Sequence, residues 1–205
     1  MNVMMVPHVS AKNLLSDEEI SLVKNIAFDI KIINMIKQAG YRIEPLTGIS
    51  HSGNKIRVDG LSFVVNEDQS SMFLQQYVKE MQAMGYQLFR QERGYNYSWD
   101  RMAIIKSSNK YDILNIRKTH AYTHNLSTAK IIEKLKQWDK QYGITIVGAG
   151  YNWLSLEFDR LPENLPAFAD EVLAFCPDVL LFSAATVMQL QLEIKSAKAL
   201  FLQWN

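Results

Sequence analysis

The chain has 205 residues, of which 48% are hydrophobic and 21% are charged, and its net charge is +1. A chain of this length can bury a sizeable core without a disulfide or a structural metal. The near-neutral charge, with no third of the sequence strongly polarised, does not favour nucleic acid or an anionic membrane as a partner. The single cysteine, Cys176, excludes an intramolecular disulfide and a cysteine-based zinc site within one chain.

The sequence does not predict a targeting signal or a membrane-spanning segment. The N-terminal residues lack the basic region and the long apolar run of a signal peptide, and polar residues interrupt the longest apolar stretch. We therefore expect a cytoplasmic protein with no membrane association. No motif in the sequence predicts a cofactor or a metal.

The N-terminal region predicts a helix followed by a loop. Ser16 and Glu19 have the spacing of a capping box, and Gly40 suits the left-handed residue that ends a helix. Apolar residues cover much of the circumference of this helix, which favours burial. Residues 44–54 are rich in turn-forming residues and predict a loop. We expect residues 1–54 to form an N-terminal helical extension and loop.

Residues 55–205 predict a single α+β domain. Strands are expected at residues 55–59, 61–65, 86–90, 102–106, 111–117, 144–147, 151–158 and 198–204. Helices are expected at residues 68–84, between Ser127 and Gly143, after Pro166 and after Thr186. This order is neither a strict βαβ alternation nor all-β. It predicts an α+β fold, a mainly antiparallel sheet with helices packed on one side, plus the N-terminal helical extension.

The C-terminal half carries a set of segments that together resemble one family. The segments are WDKQYG (138–143), GAGYNW (148–153), AFADEV (167–172), FCPDV (175–179) and LFLQWN (200–205). Arg117 and Thr119 also match. The pattern resembles the bacterial domain-of-unknown-function family numbered 4253, over about residues 100–205. That family has no established activity, so the resemblance implies an extent but no reaction.

Two departures from the family pattern bear on chemistry. Asn152 stands where the pattern has an acidic residue before Trp153, and Asn205 stands where its tail ends in an acidic residue. An amide has the shape of a carboxylate but cannot act as a carboxylate base. A family reaction that depended on these carboxylates would be lost in this chain.

The first candidate site is an aromatic–arginine segment between two predicted strands. In an extended chain its three aromatic side chains would lie on one side, flanked by guanidinium groups. This composition is typical of protein interfaces, but it also occurs in single-stranded nucleic-acid binding and in hairpins whose aromatics pack across strands. The candidate residues are Arg93, Tyr95, Tyr97, Trp99 and Arg101.

The second candidate site follows from the family resemblance, which implies a pocket near the matching segments. Its residues are Arg117, Thr119, Asn152, Trp153 and Asp178.

The single cysteine and the histidine pair have simpler interpretations than a catalytic or metal site. Cys176 follows a predicted helix, where the dipole disfavours a thiolate, and the pair His120 and His124 precedes the cap at Ser127, in a segment that predicts a loop rather than a metal-binding helix face.

The sequence therefore leaves two classes of function open. The favoured one is a protein-binding module without catalysis, for example of the immunity type, in which the partner is a toxin. The alternative is an enzyme of unknown reaction with a site around Arg117, Asn152, Trp153 and Asp178. A further alternative, single-stranded nucleic-acid binding, is disfavoured by the balanced charge.

Overall fold

The computed structural model describes residues 15–50, 52–94 and 99–205. Seven strands lie in one sheet: β1 Glu44–Ile49, β2 Lys55–Asn66, β3 Tyr86–Gly94, β4 Trp99–Lys106, β5 Ile144–Ala149, β6 Trp153–Phe158 and β7 Ala199–Gln203. The helices are α1 Asp17–Ile26, α2 Ile30–Gln38, α3 Glu67–Ala83, α4 Asp112–Arg117, α5 Thr128–Tyr142, α6 Leu165–Phe175, α7 Val179–Phe182 and α8 Val187–Ala197. A short 3-10 helix spans Tyr122–His124.

The sheet has the order β1-β2-β4-β3-β5-β6-β7. Every neighbouring pair is antiparallel except β3 and β5, which are parallel. The parallel pair joins two antiparallel units, the four strands β1 to β4 and the three strands β5 to β7. The predicted α+β class with a mainly antiparallel sheet and N-terminal helices is confirmed.

Helices cover both faces of the sheet, so the expectation of helices on one side is wrong. Adjacent residues of a strand point to opposite faces, and on β3 Leu88 and Phe89 belong to two different hydrophobic clusters. One cluster, on what we call the first face, is closed by helices α4 to α8. The other, on the second face, is closed by α1 to α3. The sheet is the middle of three layers.

The N-terminal region contains two helices and a strand. The single predicted helix is interrupted at Ala27, which has a left-handed φ of 49°, and Asp29 starts α2 by accepting a hydrogen bond from the Lys31 backbone N–H. The predicted loop over residues 44–54 is wrong for residues 44–49, which form β1 and pair with β2. The proposed boundary after residue 54 therefore falls between two paired strands.

Two other segments differ from their sequence-based predictions. The strand predicted at residues 111–117 is wrong, because residues 112–117 form α4; a short apolar segment satisfies helical and strand periodicity equally well. The two strands predicted around Gly60 are one strand, β2. Gly60 is needed there for close approach rather than for a break, since a Cβ at this position would lie 2.7 Å from the Ile104 carbonyl oxygen.

The family-like half of the chain is interleaved with the N-terminal half. Strand β4 belongs to the family-like half but pairs with β2 and β3, and β3 also separates it from β5. Residues Met102 and Ile104 of β4 are buried against the cluster that α1 to α3 close. The C-terminal half alone would therefore have a gap in its sheet and an exposed hydrophobic face.

We predict that a fragment of residues 99–205 does not fold by itself. The fragment lacks β3, the strand that lies between β4 and β5 and is hydrogen-bonded to both. It also lacks α1 to α3, which bury Met102 and Ile104. Thermal unfolding followed by circular dichroism should show a cooperative transition for the full chain and none for the fragment. Supplying residues 15–98 as a second chain should restore the transition; a cooperative transition of the fragment alone would contradict the interleaving.

Candidate functional site

The end of the chain is held by reciprocal hydrogen bonds with Asn152. The Trp204 backbone N–H donates to the Asn152 carbonyl at 2.9 Å, and the Asn152 side-chain amide donates to the Trp204 carbonyl at 2.6 Å. The Trp204 ring is fully buried, and its indole N–H donates to the Phe175 carbonyl at 3.4 Å. The Asn152 side chain thus has a structural task that needs a donor, which an ionised carboxylate lacks.

Asp178 fixes the next residue of the same segment. Its Oδ2 accepts from the Asn205 backbone N–H at 2.9 Å and contacts His124 Nε2 at 2.8 Å. The Asn205 N–H and His124 together hold the pKa of Asp178 below its usual range. Thr123 completes this arrangement by donating its hydroxyl to the Asn205 carbonyl at 2.6 Å. We call Asn152, Asp178, His124 and Thr123 the C-terminal clamp.

Arg117 and Thr119 bind backbone carbonyls elsewhere. The Thr119 hydroxyl donates to the Gly150 carbonyl at 2.7 Å, and Arg117 donates to the Thr47 carbonyl of β1 at 3.3 Å. Burial lowers the pKa of Arg117, and the nearby Glu92 partly offsets this effect. These residues, together with Asn152 and Asp178, are engaged in separate contacts that hold the chain. They do not converge on one cavity.

Trp153 is seated by the glycines that precede it. A Cβ at Gly148 would lie 2.9 Å from Cζ3 of the Trp153 ring, and a Cβ at Gly150 would overlap the pyrrole side of that ring. The GAGYNW motif therefore builds a turn between β5 and β6, as the hairpin pattern predicts, and also makes room for the indole. The ring lies on the second face of the sheet, opposite Leu154, which belongs to the first-face cluster.

Phe201 of β7 contacts one residue from each candidate site. The Arg93 guanidinium carbon lies 4.8 Å from the centre of the Phe201 ring, a cation–π contact. The centres of the Phe201 and Trp153 rings are 5.9 Å apart. We call Arg93, Phe201 and Trp153 the aromatic platform. Neither the aromatic–arginine pattern nor the family motif predicted Phe201 as part of a site.

The aromatic platform lies on the part of the second face that the helices of the described ranges do not close, which we call the open face. Trp153 is only 8% exposed there, whereas Phe201 and Arg93 are half-buried. Of all residues in β5, β6 and β7, only Val147 belongs to the cluster that α1 to α3 close. Alternate residues of β6 and β7 are paired across the two strands, so their side chains lie on this same face. They are Trp153, Ser155, Glu157, Ala199, Phe201 and Gln203. Burial is the main cause that raises the pKa of Glu157, while Lys79 and Arg90 lower it.

The other residues of the aromatic–arginine segment have different positions. Arg101 lies on the sheet face opposite Arg93, because Arg93 pairs with Asp100, and it forms ion pairs with Glu44 and Glu92. Trp99 begins β4. Tyr95 and Tyr97 lie outside the described residues, so the proposed alternation of aromatics stays a prediction.

A buried polar network links α3 to the sheet near the open face. Arg90 Nε lies 2.7 Å from Asp100 Oδ2, the Ser70 hydroxyl donates to the same oxygen at 2.5 Å, and Arg90 Nη2 donates to Ser70 Oγ at 2.6 Å. Asp100 is 2% exposed, so its charge needs these partners. The network fixes the position of the strand that carries Arg93, and no local sequence pattern identifies it.

Cys176 has no feature of a nucleophile. Its side chain is fully buried, and burial raises the pKa of its thiol to about 12. The thiol donates to the Gln203 carbonyl at 3.4 Å. The interpretation of Cys176 as a small buried side chain agrees with this environment.

Two cavities of the described residues lie away from both predicted sites. One, of about 500 Å³, lies between the end of α5 and the start of α6 and is lined by residues such as Tyr142, Arg160 and Glu163. A cavity of about 200 Å³ lies beside His120 and Tyr151. Within residues 15–50, 52–94 and 99–205, no three His, Cys, Asp or Glu side chains are grouped to hold a metal. No helix in these ranges is long and apolar enough to cross a membrane.

Comparison with protein families assigns the C-terminal half. The family model described as Domain of unknown function (DUF4253) matches residues 101–205, slightly more than half of the chain. The chain belongs to the DUF4253 family. No curated protein and no solved structure matches it. The DUF4253 match begins within β4 and contains the C-terminal clamp, Trp153 and Phe201, but not Arg93.

We predict that Asn152→Asp destabilises the protein at neutral pH. A carboxylate at this position cannot donate to the Trp204 carbonyl, so the clamp loses one hydrogen bond and gains a repulsive contact, a cost of about 2 kcal/mol. The loss should shrink at acidic pH, where the introduced carboxyl is protonated and can donate. Urea unfolding measures the difference.

The matched control for this change is Asn164→Asp. Asn164 caps α6 by accepting from the Ala167 backbone N–H, and aspartate caps a helix as well as asparagine does. This variant should keep the wild-type stability. Equal stability of both variants at neutral pH would show that the Asn152 amide is not a required donor.

We predict that Asp178→Asn removes a pH-dependent part of the stability. The folded pKa of Asp178 is depressed, so its contribution is present above the ordinary aspartate pKa of 3.8 and is lost as the pH falls through the lower folded value. The difference in unfolding free energy between wild type and variant should therefore shrink below pH 3.8. The exposed Asp170→Asn should remain close to the wild type, and a pH-independent difference for Asp178→Asn would refute the assigned role.

Proposed function

We propose that this chain is a protein-binding module that recognises its partner through the aromatic platform and the open face around it. The observation that carries the proposal is the stacking of Arg93 on Phe201 beside Trp153, on a part of the sheet that the described helices leave uncovered. Arg and aromatic residues are enriched at protein interfaces. Arg93 and Phe201 are half-buried and can contact a partner, and the buried Trp153 packs against the Phe201 ring.

The composition of the open face supports a protein partner over a nucleic acid. Beside the platform it presents Ser155, Gln203 and the carboxyl group of Glu157. A phosphate backbone needs several unopposed cations, whereas on this face Arg90 already pairs with Asp100. Polar groups around an aromatic centre are typical of a protein interface with a polar rim.

The contacts of the family-matched residues support binding rather than catalysis. Asn152 and Asp178 hold the end of the chain, Thr119 holds the turn before Trp153, and Cys176 is a buried thiol with a raised pKa. A general acid or base must reach a substrate, and these groups are engaged with the backbone of their own chain. The buried, unpaired thiol also suits a reducing compartment, so we propose the cytoplasm as the location.

We predict that a photo-cross-linking amino acid at Gln203, next to the platform, captures one protein in cells of the source organism. The same group at Met72, which is 67% exposed on α3, serves as the control position. Phe201→Ala should weaken the captured complex by about 2 kcal/mol, close to thirtyfold, because it removes the centre of the interface. Met72→Ala should leave the affinity unchanged.

The outcomes separate this surface from others. Capture from Gln203 that Phe201→Ala abolishes, with unchanged thermal unfolding of the variant, supports the proposal. Equal capture from Met72 and Gln203, or an affinity insensitive to Phe201→Ala and Arg93→Ala, would place recognition elsewhere. A captured nucleic acid instead of a protein would overturn the class of partner.

A further inference from the structure

A further site, separate from both candidate sites described above, lies in the cavity of about 200 Å³ beside His120. It is lined by Ile49 of β1 and by Ser50 and Gly53 from the connection between β1 and β2. The residues that carry its chemistry are Lys118, His120, Tyr122, Ser127, Thr128 and Tyr151. Drug-sized ligands occupy cavities of about 300 Å³ or more, so this one suits a smaller molecule.

His120 is the buried polar group of this cavity. Its side chain is only 6% exposed and contacts the rings of Tyr122 and Tyr151, with centre distances of 3.6 and 3.9 Å. Nδ1 lies 2.6 Å from the Lys118 carbonyl, which can only accept, so Nδ1 carries a hydrogen. Among the described residues Nε2 has no hydrogen-bond partner. It is the atom that can share a proton with an acidic oxygen of a ligand.

The remaining polar groups of the cavity favour an anion. Lys118 lines it and forms no ion pair with any residue in the described ranges, and no aspartate or glutamate is among the lining residues. Ser127 and Thr128 are the cap and the first residue of α5, a helix of 15 residues. Its free backbone N–H groups and its dipole favour negative charge at this end.

The two tyrosines add donors and an apolar wall. Burial and the adjacent Tyr122 hydroxyl raise the pKa of Tyr151, so its phenol stays protonated and can donate. Tyr122 is 75% exposed and Tyr151 is 44% exposed, and both rings are at the mouth of the cavity. An organic group attached to the anion would lie against them.

We propose that this cavity binds the phosphate group of a small phosphate monoester. The ammonium of Lys118 and the N-terminus of α5 hold its charge, which is about −1.5 to −2 at neutral pH. His120 Nε2 shares a proton with a phosphate oxygen. The site is separate from the aromatic platform, and its proposal does not depend on the protein-binding function.

Titration calorimetry of the full chain with glycerol 3-phosphate, at constant ionic strength, tests the assignment. Lys118→Asn removes the ammonium and suits the left-handed backbone of this residue, whose φ is 51°. His120→Phe keeps an aromatic ring between the tyrosines but removes Nε2. Each change deletes a charge-assisted hydrogen bond and should weaken binding about tenfold or more. Lys195→Asn, at an exposed position of α8, is the matched control and should bind as the wild type does.

Three results would overturn the proposal. The first is no binding of glycerol 3-phosphate by the wild type, with no shift of the His120 Nε2 resonance in ¹⁵N spectra. The second is equal weakening by Lys195→Asn, which would indicate non-specific screening. The third is equal affinity for malonate, which would assign the cavity to carboxylates instead. Selective loss in Lys118→Asn and His120→Phe, with folded spectra, supports it.

Discussion

The parallel contact between β3 and β5 is the constraint on which the architecture depends. It joins two antiparallel units at Arg90 and Gly148. A side chain cannot be accommodated on Gly148, because a Cβ there would lie 3.3 Å from the Arg90 carbonyl oxygen and 2.9 Å from the Trp153 ring. The same glycine thus sets the distance between the two units and the position of the indole. Both hydrophobic clusters extend across this junction, so neither face closes unless it forms.

The junction also explains why the family-matched half and the N-terminal half act as one structural unit. Arg93 comes from β3, whereas Phe201 and Trp153 come from β7 and β6. Strand β5 lies between β3 and β6 in the sheet and contributes no aromatic ring to the platform. The small cavity beside His120 is likewise lined by Ile49, Ser50 and Gly53 on one side and by family-matched residues on the other. The aromatic platform and the cavity beside His120 both lie where the N-terminal and family-matched halves meet.

Much of the fold could be read from local sequence signals. The capping box at Ser16, the cap at Ser127 and the β5–β6 hairpin depend on neighbours within a few residues, and the structure contains all three. Two errors had local causes as well. The six residues of α4 are too few for periodicity to decide, and the strand β1 contains proline and glycine, which are typical of loops.

The candidate sites were harder to predict because they depend on long-range contacts. Nothing near Phe201 indicates that Arg93, more than a hundred residues earlier, stacks on it. The motif around Asp178 suggested chemistry, but its partner is a backbone N–H at residue 205. His120 was considered only with His124, since spacing alone cannot show that one ring lines a cavity while the other belongs to the clamp. The sequence patterns drew attention to Arg93, Asp178 and His120, but only the tertiary contacts show what each of them does.

The outer edge of β7 is protected against pairing with another chain. This strand is last in the sheet order, and an unprotected edge would accept an added strand from another chain. Here the Ser183 hydroxyl donates to the Phe201 carbonyl, and the Cys176 thiol donates to the Gln203 carbonyl. These contacts occupy the acceptors that strand addition would use. Strand addition at β7 is therefore disfavoured, and the same contacts protect this edge against edge-to-edge aggregation.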